Sequence, residues 1–265
     1  MSDQIAHANL CGFGKSVIQA VLEGKVKQLV LVNCCDSARR VYDIVESTGK
    51  CKFLYMLDLP HEDNECEKVK YAQAIMRLKK AYEKFSGKTF DKEAFLNSFT
   101  ENETEMKPYI GLLGVRVTGI LEKMIRDNIQ MDVDNLTCTG GRQLAVVPEQ
   151  MRQMDEEKMF LAYADALLCQ IPCFRMNNNT RRNQLYLDPN LKGIIYHTIK
   201  FCDYYGFEYA SIKKNIKVPL LKIETDFTSQ SAGQLLTRIQ AFAETIEGSE
   251  DMDPGKGISE EARKK

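Results

Sequence analysis

The chain has 265 residues, with 36 Lys and Arg against 37 Asp and Glu, and its formal net charge at pH 7 is -1. A chain of this length can bury a substantial core and is typical of two domains of modest size. The balanced charge supplies no broad positive field, which disfavours nucleic acid as a partner. The first residues do not resemble a signal peptide and no run of about eighteen apolar residues occurs, so we expect a cytoplasmic protein without a membrane span.

The nine cysteines are the most informative residues, and only three histidines accompany them. A reducing cytoplasm gives disulfides little reason to form, which leaves metal ligation, catalysis or simple burial as explanations. The scarcity of histidine argues against zinc sites of mixed Cys and His ligands and favours clusters bound by sulfur alone.

Predicted helices and strands alternate at short spacing in the first part of the chain. The run KQLVLVN at 27–33 has no helical period, which indicates a buried strand, and Cys34 and Cys35 follow it directly. Asp36 is suited to cap the next helix. In order, the predicted elements are a helix over 15–23, a strand over 27–33, a helix after Asp36, a strand over 53–57, and helices over 64–85 and 91–102. This alternation predicts a parallel sheet covered by helices.

The polar run TENETEMKP at 100–108 interrupts the alternation, which then resumes. The predicted elements beyond it are strands over 109–113, 130–133, 193–198 and 219–223, and helices over 117–127, 155–168 and 231–246. We therefore predict two α/β domains, at 1–106 with a helical extension and at 107–247, followed by a flexible charged tail at 248–265.

Several cysteines fall where predicted strands end. Ligands of open α/β sheets lie outside the carboxyl ends of the strands, where helix N-termini also point their amide groups. Cys35, Cys138 and Cys202 occupy such positions, and cluster sulfurs accept hydrogen bonds from main-chain amides. The gaps between cysteines are long and no CxxC pair occurs. This spacing is compatible with ligands from separate loops, but it does not by itself show that these cysteines are ligands.

Three other cysteines are better explained by simple burial, because cysteine is among the residue types most often buried. These are Cys51, Cys66 and Cys169.

A set of motifs resembles a known family. In the second part of the chain they are NLTCTGGR at 135–142, ALLCQIPCFRM at 166–176, HTIKFCDYYGFEY at 197–209 and VPLLKIETDFTSQSAGQLLTRIQAFAE at 218–244. With NLCGFGKS, NCCDSARRVYDIVE and DLPHEDN upstream, their order resembles the 2-hydroxyacyl-CoA dehydratase and benzoyl-CoA reductase family, and most of all its double-cubane cluster protein branch. The resemblance covers nearly the whole chain apart from the tail.

The resemblance implies two Rossmann-like domains that face each other across an oxygen-sensitive iron-sulfur cluster, either [4Fe-4S] or double-cubane [8Fe-9S]. It also implies an ATP-dependent activator that delivers single electrons at low potential, a homo- or heterodimer with a related subunit, and an acyl-CoA substrate. The ligands it implies by position are Cys11, Cys35, Cys138, Cys173 and Cys202, with the adjacent Cys34 as a sixth for the double-cubane form.

Two features depart from the family pattern. Relatives usually possess an upstream segment that this chain lacks, so we expect a first domain shortened at its N-terminus. Gly12 follows Cys11, where the family more often has Pro.

Other polar residues are candidates for catalysis or cofactor binding. Glu224 and Asp226 follow a predicted strand, where carboxylates can bind a ligand or steer protons, although Asp226 is equally suited to cap the next helix. His197 is a candidate proton relay. Arg175 and Arg238 are candidates to meet the charge of a cluster or the phosphates of coenzyme A.

The function implied is an iron-sulfur component of a 2-hydroxyacyl-CoA dehydratase, which forms a ketyl radical from an acyl-CoA thioester. Two alternatives remain open at this point. One is a double-cubane reductase of small molecules driven by a partner ATPase, and the other is a non-catalytic, shortened partner subunit.

Overall fold

The computed structural model describes residues 5–99, 107–138, 140, 144, 148–226 and 232–250. These residues form two parallel sheets flanked by helices, which confirms the predicted α/β class with two Rossmann-like units. The strands are β1 (Gln28–Val32), β2 (Phe53–Leu57), β3 (Tyr109–Gly114), β4 (Asp132–Asn135), β5 (Leu191–Ile199) and β6 (Leu220–Thr225). The helices are α1 (Gly12–Leu22), α2 (Asp36–Thr48), α3 (Glu65–Ser86), α4 (Lys92–Leu96), α5 (Gly119–Asn128), α6 (Pro148–Arg152), α7 (Glu156–Cys169), α8 (Thr180–Leu185), α9 (Asp203–Ile212) and α10 (Ala232–Glu250).

The first sheet consists of β1 and β2, which pair in parallel along their whole length. Helices α1 and α2 pack together beside it, because apolar side chains at helical spacing, such as Val41 and Val45 on α2, are buried there. The N-cap of α2 is Cys35, so the prediction that Asp36 caps this helix is wrong by one residue. The shift brings the Cys35 thiol to the amino end of the helix.

The second sheet contains four parallel strands in the order β4-β3-β5-β6. Helices α5 and α10 cover one face through side chains such as Ile125 and Phe242. Helix α9 covers the other face through Tyr205 and Ile212. Helices on both faces are what a parallel sheet requires, because both faces are apolar.

The strand order creates a topological switch point in this sheet. The chain passes from β3 to β4 on one side of β3 and then returns to β5 on the other side. Ligands of open α/β sheets bind outside the carboxyl ends of the strands at such a point. Here Arg116 lies just beyond β3 and Cys202 just beyond β5.

A helical layer joins the two sheet units. Helix α3 packs against α7, and the buried residues of this layer are Ala72, Leu96, Met151, Met159, Phe160 and Ala164. Ion pairs at its surface join Lys68 to Asp165 at 2.7 Å and Lys79 to Glu156 at 2.8 Å. The first and second parts of the chain are therefore packed together through helices as well as through their strand ends.

Most predicted elements are present with ends shifted by a few residues, and three helices of the described part of the chain are not predicted by the sequence pattern. These are α6, α8 and α9. The predicted helix over 91–102 is observed only as α4, and its last part lies outside the described residues, as does the predicted domain boundary at 106. Helix α10 continues to Glu250, into the predicted tail, whose residues 251–265 are not described. None of the described helices has the length and apolar character needed to cross a membrane.

Candidate metal-cluster site

One cavity, with a volume of about 320 Å³, lies where the carboxyl ends of the two sheets meet. Its walls include residues at or just beyond the ends of β1, β2, β3, β4 and β5. All six cysteines implied by the family resemblance line it: Cys11, Cys34, Cys35, Cys138, Cys173 and Cys202. The first sheet unit thus contributes three thiols and the second unit contributes three. That these thiols bind a metal cluster stays a prediction.

Three of the six cysteines are helix N-caps. Cys11 precedes α1, Cys35 precedes α2 and Cys202 precedes α9. The first amide groups of a helix have no partner within the helix, and the helix dipole makes this end electropositive. None of the three side chains makes a cap hydrogen bond, but the nearby amides of the first turn act to lower the pKa of each thiol. At Cys11 and Cys202 burial outweighs this effect and raises the pKa, whereas the pKa of Cys35 is lowered.

The other three cysteines lie on loops. Cys34 follows β1, Cys138 follows β4, and Cys173 lies between α7 and α8. The Cys173 sulfur is 3.3 Å from the hydroxyl oxygen of Tyr205, which is almost fully buried on α9. Cys138 is exposed at the cavity wall.

The thiols influence one another across the cavity. The neighbouring Cys34 thiol lowers the pKa of Cys35 to about 6, assisted by two main-chain amides of α2. The same interaction, together with burial, raises the pKa of Cys34. Burial is the main cause that raises the pKa of Cys202 to about 11, and charge repulsion from Cys11, Cys35 and Cys173 contributes to the rise. Sulfurs from both sheet units are therefore close enough to repel each other when ionised.

Two arginines are among the described residues that line the same cavity. Arg175 was a predicted candidate, and its Nη1 donates to the carbonyl oxygen of Pro60 at 2.7 Å. Arg116 was not predicted, and its guanidinium lies over the ring of Phe13, 4.5 Å from the ring centre. Among the described residues no acceptor is within reach of its buried Nε. The only signal in the sequence was its place three residues beyond the end of the predicted strand over 109–113.

His197 fixes the loop that carries Arg116. Its Nδ1 lies 3.2 Å from the carbonyl oxygen of Val115 and 3.1 Å from that of Arg116, and its Nε2 lies 2.9 Å from the hydroxyl of Thr225. Burial lowers the pKa of this histidine, so it is neutral at pH 7. Because both ring nitrogens are engaged by the protein, the geometry favours a structural contribution over proton transfer.

The remaining candidates lie elsewhere. Glu224 stands at the end of β6, with Oε2 3.3 Å from the Nζ of Lys222. Arg238 is exposed on α10 and donates to the carbonyl oxygen of Lys222 at 2.6 Å. The main chain of Asp226 packs against Gly12, and residues 227–231 after it are not described, so its role as a cap lies outside the described part. Glu224, Asp226 and Arg238 are not among the described residues that line the cavity.

The three cysteines assigned to simple burial are also not among the residues lining this cavity. Cys51 is half-buried, and its thiol lies 3.1 Å from the carbonyl oxygen of Phe53. Cys66 and Cys169 are exposed, so the prediction of burial is wrong for both. Each lies at one end of a helix, α3 or α7, on a side that faces solvent.

The donor set is chemically suited to an iron-sulfur cluster. In the described part of the chain, no three His, Cys, Asp or Glu side chains converge on a point that one metal ion would occupy. A cluster differs because each of several irons takes its own thiolate, so its ligands surround a volume. The described lining residues contain six thiols, two arginines and mainly apolar or aromatic side chains, and no carboxylate or histidine. Soft sulfur ligands without oxygen competitors are what iron-sulfur clusters require.

The fold and the cavity define an α/β protein with two parallel sheets whose strand ends enclose a pocket lined by thiols from both. The sequence matches the family model of the 2-hydroxyglutaryl-CoA dehydratase D-component over residues 1–108 and 100–246. The chain belongs to this family.

Two curated relatives are similar at low identity. YjiM of Escherichia coli (strain K12), named as a dehydratase subunit, is 27% identical over 180 residues, which cover 59% of this chain and 45% of the relative. The (R)-phenyllactyl-CoA dehydratase beta subunit of Clostridium sporogenes is 27% identical over 157 residues, which cover 54% of this chain and 40% of the relative. The matched region therefore spans less than half of the length of either relative.

Proposed function

We propose that this chain is the cluster-binding subunit of a 2-hydroxyacyl-CoA dehydratase-type enzyme. The observation that carries the proposal is the selective gathering of cysteines. Six thiols from two sheet units line one cavity, and Cys51, Cys66 and Cys169 are not among the residues that line it. Family membership and the names of the two relatives support the same reaction class.

The residues of the cavity would have two roles, cluster ligation and exclusion of water. Thiolates from this set of six would hold the cluster, all six of them in a double cubane and at most about four in a single cubane. Side chains such as Leu59, Ile171 and Met176 would exclude water around it. When bound, such a cluster supplies single electrons at low potential, the reductant that converts an acyl-CoA thioester into a ketyl radical.

Arg116 is the residue we assign to the substrate side of this chemistry. Its buried Nε has no acceptor among the described residues, and an unpaired buried donor is costly. An oxygen that gains negative charge during the reaction is the acceptor such a donor favours. Arg175 adds a second positive charge to the same wall.

The proposal includes partners and a location. An ATP-dependent activator would supply the electrons, and a related subunit would complete the enzyme, in line with the beta-subunit name of the Clostridium sporogenes relative. The oxygen-sensitive chemistry and the free thiols are suited to the reducing cytoplasm.

The first experiment is anaerobic purification of the chain, followed by analysis of iron and acid-labile sulfide. The proposal predicts a brown protein with both elements in nearly equal amounts. A colourless protein without iron, after anaerobic reconstitution with iron and sulfide, would contradict it.

A double-cubane reductase is the second candidate, and the division of the thiols favours it. Each sheet unit supplies three cysteines to the cavity, which is the arrangement that the family resemblance implies for a double cubane, with three thiolates to each half. Iron stoichiometry separates the two candidates. About eight irons per chain would favour the double-cubane reductase, and about four would favour the dehydratase with a single cubane.

A further inference from the structure

The contact between Cys173 and Tyr205 joins a thiol of the cavity to the hydroxyl group of a buried tyrosine. The Tyr205 hydroxyl oxygen lies 3.3 Å from the Cys173 sulfur, within the range of a hydrogen bond to sulfur. The Tyr205 side chain is buried. A buried hydroxyl requires a partner, and this sulfur is the one found among the described residues.

Both ends of this contact are held in place by a buried ion pair. Glu208 lies one turn beyond Tyr205 on α9 and pairs with Arg182 of α8. Arg182 also approaches the carbonyl oxygen of Pro172, the residue before Cys173, at 3.3 Å. Arg182 thus links helix α9, which carries the Tyr205 hydroxyl, to the loop that carries the Cys173 sulfur. This link lies close to the contact between Tyr205 and Cys173.

Two tyrosines complete this support. The hydroxyl groups of Tyr186 and Tyr196 both approach the carboxylate of Glu208. Glu208 is therefore engaged by one arginine and two hydroxyl groups, which leaves α9 little freedom to rotate. The distance between Tyr205 and Cys173 is consequently set by the surrounding core and not by the two side chains alone.

We propose that Tyr205 is a positioning residue that donates its hydroxyl hydrogen to the Cys173 thiolate and thereby raises the reduction potential of the bound cluster. This inference rests on the proposed function, since it concerns a cysteine that would ligate iron. Negative charge on the sulfur grows when a cluster is reduced, so a donor stabilises the reduced state more than the oxidised one. Without the donor, reduction becomes harder.

The test is Tyr205→Phe, which removes one oxygen and keeps the ring in the core. Tyr204→Phe is the matched control, because Tyr204 is the adjacent tyrosine on the same helix and lines the same cavity. The midpoint potential of each iron-loaded protein is measured by anaerobic redox titration followed by electron paramagnetic resonance. We expect a lower potential for Tyr205→Phe, an unchanged potential for Tyr204→Phe, and the wild-type iron content in both.

An iron-loaded Tyr205→Phe protein with the wild-type potential would overturn the inference while leaving the proposed function intact. Equal shifts in both variants would overturn it as well, because they would reflect a general effect of the helix. Wild-type protein without iron would overturn the proposed function and this inference together.

A second measurement compares the iron-sulfur stretching bands of the cluster by resonance Raman spectroscopy in H2O and D2O. The absence of any deuterium shift in a band of the cysteine ligands of the wild type would overturn the inference without recourse to a variant. We expect a larger shift in the wild type than in Tyr205→Phe, since the main-chain amides near the other sulfurs exchange in both proteins, and equal shifts would overturn the inference.

Discussion

The two sheet units bring three cysteines each to one cavity but differ in part in how they support them. In the two-stranded unit, Cys11 and Cys35 are helix N-caps, and the nearby amides of the helices favour their ionised forms. In the four-stranded unit Cys202 is likewise a helix N-cap, whereas Cys173 depends on the side chain of Tyr205 and on the buried pair of Arg182 and Glu208. The amides are present wherever a helix begins at the cysteine, so no side-chain substitution removes them. The hydroxyl group of Tyr205, in contrast, can be removed by one substitution.

The two units also differ in the completeness of their cores. Strand β5 is buried along almost its whole length, between helices on both faces of its sheet. Strand β1 is partly exposed, and its Val30 side chain faces solvent. The second unit therefore contributes most of the buried apolar surface, and substitutions within its core should have the largest effects on stability.

The largest expected effect comes from breaking the buried ion pair of the second unit. Arg182→Met leaves the Glu208 carboxylate buried without its cationic partner, so we expect the free energy of unfolding to fall by about 3–5 kcal/mol. Urea denaturation of the metal-free protein measures the change. Arg40→Met is the control, because its pair with Asp43 is exposed and should contribute less than about 1 kcal/mol. Equal losses of unfolding free energy in Arg182→Met and Arg40→Met would contradict the expected difference between the buried and the exposed ion pair.

A smaller effect is expected from the backbone of the first unit. Gly12 begins α1, and a Cβ atom there would meet the main chain of Asp226, so Gly12→Ala should cost about 1–3 kcal/mol of unfolding free energy. This close approach also accounts for glycine in place of the proline more common after Cys11, since proline too carries a Cβ. Iron content should fall with stability, because Cys11 is the adjacent residue.

Gly119→Ala is the matched control for this substitution. Gly119 also begins a helix, and a Cβ at this position meets no atom within 4 Å. We expect it to leave the unfolding free energy unchanged or to raise it by a few tenths of a kcal/mol. An unchanged unfolding free energy in Gly12→Ala would contradict the close contact between the two units.

The smallest expected effect is a pH dependence at the switch point of the second sheet. His197 is buried and neutral, and its folded-state pKa is lowered, so protonation favours the unfolded chain. Its contribution to stability is present above the unfolded-state pKa of about 6.5 and is lost as the pH falls below it, by up to about 1.4 kcal/mol per pH unit. Unfolding free energies of wild type and His197→Gln between pH 7.5 and about 5 test this. The same change of unfolding free energy with pH in wild type and His197→Gln would contradict this contribution of His197.

The sequence was sufficient to predict the features that depend on local pattern. Apolar runs marked the strands, and Cys35 and Cys202 could be placed at strand ends because the turn residues follow those runs directly. The strand order of the second sheet is set by packing between segments distant in the chain, so it could not be predicted from local pattern.

The polar residues around the thiols were harder to predict for the same reason. Arg116 and Tyr205 acquire their roles only through contacts with Phe13 and Cys173, which lie far away in the chain. The helix α9 that carries Tyr205 has apolar residues on several sides and therefore no clear amphipathic period. The exposure of Cys66 and Cys169 likewise depends on which face of a helix meets the core, not on the residue type.

The most direct test of the central claim is the iron content of a panel of cysteine variants prepared anaerobically. Cys35→Ser and Cys202→Ser each remove a thiol of the cavity, one from each sheet unit, whereas Cys66→Ser and Cys169→Ser remove exposed thiols that do not line it. The proposed cluster site predicts that iron and sulfide are lost or reduced in the first two variants and unchanged in the second two. Full iron content in both Cys35→Ser and Cys202→Ser would contradict a cluster held jointly by the two units.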